Sequence, residues 1–408
     1  MKRAFPWVQR LMGQTEPPPT FFLHLGMHKT GTTAIQNFCF QNSGLLRSAG
    51  IAYAPFAKAN HSHFYETLFA QGVDHDAGHS TQRSDASREQ GLAAFSDFLR
   101  SARRDCLSVL TSGESACGLE STSLQQLKEL VLRAYERMVI VGFARPPLAF
   151  ARSMSQQALR TGATLQEFFD APLLPAYEKR FGRAIEVFGR ENVRIGAFHK
   201  TALANSDALQ GLWDLMGIQH PMLKNARAKR SNASTSLTAA KLLSAINHSI
   251  KWGEPAVRLP CAVHDRLTHP VVRELHGDFT VSPTRFTSQS SLLLQTILRI
   301  PGPDYRLAGP IGLRVQQSAG RDLLWFRSHY GIDLAALDEA PQTSLTMRDM
   351  AVFDEQEVQA IADAFDGLIA SPEEKLAAVK RRFNRQTNDV GGFSMAEANA
   401  VGRGHAAH

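Results

Sequence analysis

Short apolar runs alternate with amphipathic stretches through the first half of the chain. The apolar runs predict strands at residues 21–25, 51–55, 106–111, 138–144 and 193–198. Between them, apolar residues recur at the spacing of one helix face. Strands that alternate with helices predict an α/β fold with a doubly wound parallel sheet flanked by helices. Right-handed crossovers would place the C-terminal ends of the strands at one edge, where such sheets bind their ligands.

Helical spacing accounts for most of the remaining chain. In the first half it predicts helices at residues 34–49, 61–71 and 87–104, one capped by Ser123, one that begins near Pro146 and Pro147, and one through Leu209 and Met216. From about residue 232 the strand pattern fades. The helices predicted there are 237–250, 322–330 and 354–369, the last capped by Asp354 and Glu357.

These elements divide the chain into four predicted segments. Residues 1–18 form a flexible leader, 19–235 an α/β core, 236–385 a helical and irregular part packed on that core, and 386–408 a disordered tail. Two stretches, 61–87 and 255–310, carry no readable motif beyond scattered His, Arg and Pro. The pattern indicates no oligomeric state.

A glycine-rich turn, GMHKTGTT at residues 26–33, joins the first strand to the first helix. Such a turn presents free backbone N–H groups and a positive helix end to whatever binds there. We therefore predict that it holds an anion, most simply a phosphate, and that the fold is a P-loop-containing one. The binding residues expected in it are Gly26, Lys29, Thr30, Gly31, Thr32 and Thr33.

The turn departs from the nucleoside-triphosphate pattern G-x-x-x-x-G-K-[ST]. Gly26 and Gly31 keep its frame and Thr33 supplies its hydroxyl, but Thr32 stands at the lysine position and Lys29 lies inside the loop. No Asp ends a neighbouring apolar strand either. Both departures count against the usual Mg²⁺ and γ-phosphate ligands. A turn that binds no ligand stays open as an alternative.

A second group of residues lies in FARPPLAFARSMSQQ. Arg145 ends the fourth predicted strand, and Ser153 follows eight residues later, about two turns into the next helix. An arginine fork with a hydroxyl suits a second phosphate. An Arg at a helix start and a Ser on a helix surface are each common, so the pair indicates a phosphate site only in combination with the glycine-rich turn.

Together, GMHKTGTT and R-P-x(6)-S resemble the motifs of sulfotransferases that use 3′-phosphoadenosine 5′-phosphosulfate (PAPS), in particular bacterial members that act on carbohydrates. The resemblance implies that the loop from Lys29 to Thr33 holds the 5′-phosphosulfate and that Arg145 and Ser153 hold the 3′-phosphate. It also implies PAPS as donor, its desulfated form PAP as product, and no metal. Pro146 departs from the family, in which Asp or Asn often precedes the proline.

Sulfuryl transfer needs a base for the acceptor proton and a cation at the leaving phosphate. Lys29 suits the second task. By resemblance the base is Glu114, after the third strand, although this residue could instead cap the next helix. His28, His61 and His63 are rival bases because of the ordinary pKa of histidine.

A late basic segment offers further candidates for the 3′-phosphate. Similar sulfotransferases close such a loop on it, so the resemblance implies a role for one of Arg227, Lys229 and Arg230. A solvated basic surface explains the same residues equally well.

The charge composition favours anionic binding partners. The formal net charge of +7 and the pI near 9.3 suit an anionic nucleotide and an acidic glycan acceptor. We expect no nucleic-acid partner, no metal site and no membrane span, and a cytoplasmic location. Reduced thiols are expected for Cys39, Cys106, Cys117 and Cys261, three of them in apolar surroundings. The competing functions are a small-molecule kinase that uses ATP and a nucleotide-binding protein without catalysis.

Overall fold

Five parallel strands form a single sheet. The computed structural model describes residues 18–27, 29–56, 58–69, 85–228, 234–253, 259–272 and 292–371. Its strands are β1 (Phe21–Leu25), β2 (Ile51–Tyr53), β3 (Ser108–Gly113), β4 (Met138–Ala144) and β5 (Val193–Ala197). They lie in the order β2-β3-β1-β4-β5, and every neighbouring pair is parallel. The predicted α/β fold with a parallel sheet is therefore confirmed.

Helices cover both faces of this sheet and form the second half of the chain. They are α1 (Thr32–Gln41), α2 (Ser43–Ser48), α3 (Ser62–Phe69), α4 (Asp85–Arg104), α5 (Ser121–Leu132), α6 (Pro147–Arg160), α7 (Leu165–Asp170), α8 (Tyr177–Phe188), α9 (Ala208–Met216), α10 (Pro221–Lys224), α11 (Leu237–Trp252), α12 (Cys261–Leu267), α13 (Leu292–Leu298), α14 (Gly309–Tyr330) and α15 (Glu355–Ala370). Short 3-10 turns occur at Ser115–Gly118, Arg190–Asn192 and Ala204–Ser206.

The central strands agree with the apolar pattern, and the outer limits shift. β1 and β4 have the predicted bounds, because all of their residues are buried. β3 begins and ends later than predicted. Cys106 takes a left-handed conformation (φ 57°), whereas Gly113 continues the strand and pairs with Leu25. β2 ends at Tyr53 and β5 at Ala197.

Several predicted helix limits are wrong for local reasons. The helix predicted at 34–49 is two helices, since Asn42 bonds back to the carbonyl oxygen of Phe38 through its backbone N–H and its side chain. α5 begins at Ser121 with Glu120 at its N-cap, so Ser123 is no cap. α14 begins at Gly309, well before residue 322. The predicted capping box of Asp354 and Glu357 is confirmed at the start of α15.

Three apolar clusters make up the core. One cluster lies between the sheet and α3, α4, α5 and α8, and another packs α1 and α9 on the opposite face. The third joins α6 and α7 to α11, α12, α13, α14 and α15. The helices of the second half therefore pack on α6, the helix that leaves β4. The division at residues 235 and 236 stays a prediction, and the predicted tail and all but one residue of the predicted leader lie outside the described residues.

The four cysteines are free thiols, as predicted. Cys39 and Cys117 are buried, whereas Cys106 and Cys261 are exposed, so two rather than three lie in apolar surroundings.

A buried ion pair ties α11 to α15. The ammonium of Lys241 lies 2.5 Å from Oε2 of Glu357, and the side chains are only 6% and 8% exposed. Glu357 also accepts a hydrogen bond from the Thr238 hydroxyl at 3.4 Å and from the backbone N–H of Asp354 at 3.1 Å. Removing one partner would leave the other charge buried without compensation.

We expect Lys241→Met to lower the free energy of unfolding by about 3–5 kcal/mol, the usual cost of breaking a buried pair. The double variant Lys241→Met/Glu357→Gln should recover most of the loss, because no uncompensated charge remains. Chemical denaturation measures both. As a control, Arg100→Met removes an exposed cation from the pair with Asp97 and should cost no more than about 1 kcal/mol. Equal losses in Lys241→Met and Arg100→Met would contradict the assignment.

Candidate functional site

The site lies where the sheet reverses its winding direction. From β1 the chain proceeds toward β2 and β3 on one side, whereas from β4 it proceeds to β5 on the other. β1 and β4 are neighbours, so the crevice at their C-terminal ends is the switch point at which open α/β sheets bind ligands. The glycine-rich loop (residues 26–31) follows β1, and Arg145 follows β4. Nη1 of Arg145 donates to the carbonyl oxygen of Lys29 at 2.8 Å, which joins the two ends.

Two threonines fix the inside of this loop. The Thr30 hydroxyl donates to the carbonyl oxygen of Met27 at 2.6 Å, and the Thr32 hydroxyl lies 3.3 Å from the same oxygen. Both side chains are buried, whereas Thr33 is exposed on α1. The hydroxyls of Thr30 and Thr32 thus support the loop from within.

The backbone of the loop is shaped for an anion. Lys29 (φ 66°) and Gly31 (φ 74°) are both left-handed, which turns the chain into α1. No side chain caps this helix, and its first turn contains no acidic residue. Among the described residues, no acceptor is found for the backbone N–H groups of Thr30 to Thr33. Unsatisfied N–H groups at the positive end of a helix favour a phosphate or sulfate.

Three half-buried cations face this region. Burial lowers the pKa of Lys29, and the neighbouring charge of Arg160 lowers it further, while Glu114 partly opposes both effects. Burial likewise lowers the pKa of Arg145 to about 10 and that of Arg160 below its ordinary value. With a pKa of about 10, Arg145 stays charged at neutral pH. A bound anion would stabilise three partly desolvated positive charges that lie this close together.

Arg160 was missed by the sequence analysis. It is the last residue of α6, its Nη2 donates to the Thr235 hydroxyl at 2.7 Å, and its Nε is buried without a partner among the described residues. The spacing in the sequence could have indicated it, because Arg160 lies seven residues after the half-buried Ser153, about two turns along the same helix face. The predicted pair of Arg145 and Ser153 therefore continues into a polar row along α6.

Carboxylates from the second half of the chain surround the start of α6. Asp338 accepts hydrogen bonds from the backbone N–H groups of Leu148 at 2.7 Å and Ala149 at 3.2 Å. Glu339 pairs with Arg152 at 2.8 Å, and both carboxylates offset the charge of Arg145. The start of α6 thus already holds an anionic group. A second anionic ligand would have to lie further along the helix.

Glu114 lies against the glycine-rich loop. A Cβ atom built on Gly26 would come within 3.1 Å of Cγ of Glu114, so the two residues are in contact. Glu114 stands at the N-cap of the 3-10 turn Ser115–Gly118, but in this described segment no side-chain hydrogen bond caps the turn. The alternative that its carboxylate serves as the cap is therefore wrong.

The histidine candidates differ in position. His63 is exposed on α3, whose first residues contact the end of β3, and His28 lies outside the described residues. His61 is buried, and its Nδ1 accepts a hydrogen bond from the backbone N–H of Ser112 at 3.2 Å. Burial lowers its pKa to about 3. His61 is thus a neutral part of the core.

A polar layer lies beneath the loop. Nδ1 of His24 is 2.8 Å from the hydroxyl of Ser112, and Nε2 of Gln36 donates to that hydroxyl at 3.1 Å. Burial lowers the pKa of His24 to about 4, so its ring is neutral at pH 7. The layer connects β1, β3 and α1, and it ties the loop to β3, the strand that Glu114 follows.

The late basic segment is only partly described. Arg227 is exposed and donates from Nη1 to the carbonyl oxygens of Lys224 at 3.2 Å and Ala226 at 2.9 Å. Lys229 and Arg230 lie outside the described residues. Their predicted contact with a 3′-phosphate stays a prediction.

A scan against models of protein families, a search of curated proteins and a search of solved structures each found no match for this chain. Within the described residues, no helix is long and apolar enough to cross a membrane. No group of three or more His, Cys, Asp or Glu side chains in the same part of the chain could hold a metal ion.

Gly31→Ala should destabilise the protein for two reasons. A left-handed alanine costs about 1–2 kcal/mol. In addition, the new Cβ would lie 3.1 Å from Cβ of Ala208 and 3.2 Å from the ring of Phe198. Gly50→Ala is the matched control, because Gly50 has φ 82° and open space around it. We expect chemical denaturation to show the larger loss for Gly31→Ala. Equal losses would mean that this packing does not fix the loop.

Proposed function

We propose that the protein is a sulfotransferase that moves the sulfuryl group of PAPS to a hydroxyl or amine, in our interpretation on a carbohydrate. The observation that carries the proposal is the concentration of positive charge from Lys29, Arg145 and Arg160 beside the start of α1, where the backbone N–H groups of Thr30 to Thr33 find no acceptor among the described residues. Two anionic groups on one ligand would satisfy both features.

The loop and α6 support one orientation of the proposed donor. The backbone N–H groups of Thr30 to Thr33 would bind the 5′-phosphosulfate, with Lys29 beside its bridging oxygen. Arg145 would hold the carbonyl side of the loop in place and face the 3′-phosphate together with Ser153 on α6. PAPS would supply an activated sulfuryl group, and the protein would supply position and charge.

The proposed transfer uses Glu114, which contacts Gly26, and Lys29, whose pKa the charge of Glu114 raises. Glu114 would accept the proton of the acceptor hydroxyl as its oxygen forms a bond to sulfur. The bond from sulfur to the 5′-phosphate oxygen breaks at the same time, and that oxygen keeps the electron pair. Lys29 would stabilise the negative charge that develops there.

Binding of PAP tests the proposal directly. At about 100 times its dissociation constant, PAP should raise the free energy of unfolding by about 2.7 kcal/mol, and ATP with Mg²⁺ should do less at equal concentration.

Lys29→Ala should weaken PAP binding and abolish transfer, because it removes the cation at the reacting bridge. Calorimetry and sulfation assays measure the two effects. Stabilisation by ATP but not PAP would instead favour a kinase, and PAP binding without transfer to any acceptor would favour a non-catalytic protein.

Glu114→Gln should separate chemistry from binding. We expect turnover to fall roughly 10²–10⁴-fold, the usual contribution of a general base, with PAP affinity nearly unchanged. Glu120→Gln is the control, since Glu120 is an exposed carboxylate nearby that pairs with Arg183. If His63→Ala shows the pattern expected for Glu114→Gln, the base is His63.

A further inference from the structure

β3 extends beyond its neighbour β2 toward Glu114. The register of the two strands ends where Tyr53 pairs with Leu110, and the Ala54 N–H donates to the carbonyl oxygen of Leu110 at 3.2 Å. Ser112, two residues further along β3, is buried and has no strand partner on this side among the described residues. Its backbone N–H and carbonyl oxygen need other partners, because unsatisfied edge groups in the core are costly.

His61 satisfies both backbone groups of Ser112. The backbone N–H of His61 donates to the Ser112 carbonyl oxygen at 2.9 Å, and Nδ1 of its ring accepts the Ser112 N–H at 3.2 Å. His61 thus takes the place of a strand partner, with a ring nitrogen where a strand would offer a carbonyl oxygen. This arrangement requires a neutral ring with its proton on Nε2, because a proton on Nδ1 would remove the acceptor.

The surroundings of His61 keep its ring in that form. The side chain is only 1% exposed and packs against the rings of Tyr53 and Phe56, with centroid distances of 4.6 and 4.8 Å. Burial lowers the pKa of His61 to about 3, so Nδ1 stays an acceptor at neutral pH. Nε2 is buried without a partner in the described part of the chain. The bond from Ser112 to Nδ1 is therefore kept although the other ring nitrogen gains no hydrogen bond.

A second contact fixes the chain on the other side of Glu114. The Ser115 N–H donates to Oγ of Ser62 at 3.1 Å, and the Ser115 hydroxyl donates to a carboxylate oxygen of Glu66 on α3. His61 and the start of α3 therefore hold the chain two residues before Glu114 and one residue after it. The backbone that carries the Glu114 carboxylate is thus fixed on both sides.

We propose that His61 is a positioning residue for Glu114, whose backbone it holds beside the glycine-rich loop through its two hydrogen bonds to Ser112. The inference rests on the proposed function, in which Glu114 takes the acceptor proton. His61 does not touch the reacting atoms, since its ring is buried in the core. It acts through the end of β3, where a small displacement would move the carboxylate away from the acceptor oxygen.

Two substitutions of His61 separate this role from burial alone. His61→Asn can place Oδ1 where Nδ1 was and keeps an acceptor for the Ser112 N–H, whereas His61→Leu fills similar space without one. With PAPS and an oligosaccharide that contains uronic acid, we expect His61→Leu to lower kcat about 10- to 100-fold and His61→Asn to recover most of that loss. PAP affinity, measured by calorimetry, should stay within about twofold of wild type in both variants. Ser62→Ala breaks only the contact with Ser115 and should show the same pattern with a smaller fall, which covers the case in which His61→Leu does not fold.

A double-mutant cycle with Glu114→Gln tests whether His61 acts through Glu114. In the Glu114→Gln background, His61→Leu should cause no further loss of kcat, because no base remains to be positioned. Tyr65→Phe is the matched control. It removes another buried hydrogen bond between α3 and β3, from the Tyr65 hydroxyl to that of Thr111 at 2.6 Å, and should lower stability but not kcat.

Nitrogen NMR of the His61 ring supplies a readout that does not depend on transfer. At neutral pH it should show an unprotonated Nδ1 and a protonated Nε2, and the opposite tautomer would overturn the inference. Absence of PAP binding or of sulfation in the wild-type protein would refute the proposed function. If both are present, the inference alone is overturned by an unchanged kcat in His61→Leu, by an equal loss in His61→Asn, or by an additional loss from His61→Leu in the Glu114→Gln background.

Discussion

The hydrogen bond from Arg145 to the carbonyl oxygen of Lys29 is the contact on which the site depends. It joins the ends of β1 and β4, neighbouring strands from which the chain proceeds in opposite directions. Lys29 is left-handed (φ 66°), and its carbonyl oxygen accepts the bond from the guanidinium that follows β4. This bond adds to the bonds of the Thr30 and Thr32 hydroxyls within the loop and helps to hold a conformation that L-residues rarely adopt.

The same arrangement is unfavourable for the unliganded protein. Lys29, Arg145 and Arg160 are all partly desolvated, and burial lowers the pKa of each. Asp338 and Glu339 offset part of the charge of Arg145, but they lie at the start of α6, so Arg160 at its other end gains nothing from them. Desolvation of these cations at the switch point therefore lowers the stability of the folded protein. A ligand with one anionic group at the glycine-rich loop and another along α6 would offset this cost, and the gain would add to its affinity.

Sequence patterns sufficed for the sheet because its strands are buried on both faces, which makes the apolar runs of β1 and β4 continuous and their limits sharp. They also located Gly26, Lys29 and Arg145, whose positions follow from strand ends. They could not locate Arg160. Its importance depends on Thr235 and Lys29, which are distant in the chain and reach it only through tertiary packing. The break of the first helix at Asn42 was missed for a similar reason, because a side-chain bond to one carbonyl oxygen leaves no trace in apolar periodicity.

The second half of the chain shares in the site through α6. Thr235 holds Arg160, Asn247 takes the last carbonyl oxygens of the helix, and Asp338 takes its first N–H groups. Tyr177 on α8 adds a hydrogen bond to the carbonyl oxygen of Arg145 at 2.5 Å. Both ends of α6 are therefore fixed by residues outside the sheet. Since α6 carries Ser153 and Arg160, the packing of the C-terminal helices sets the distance between the glycine-rich loop and whatever binds along α6.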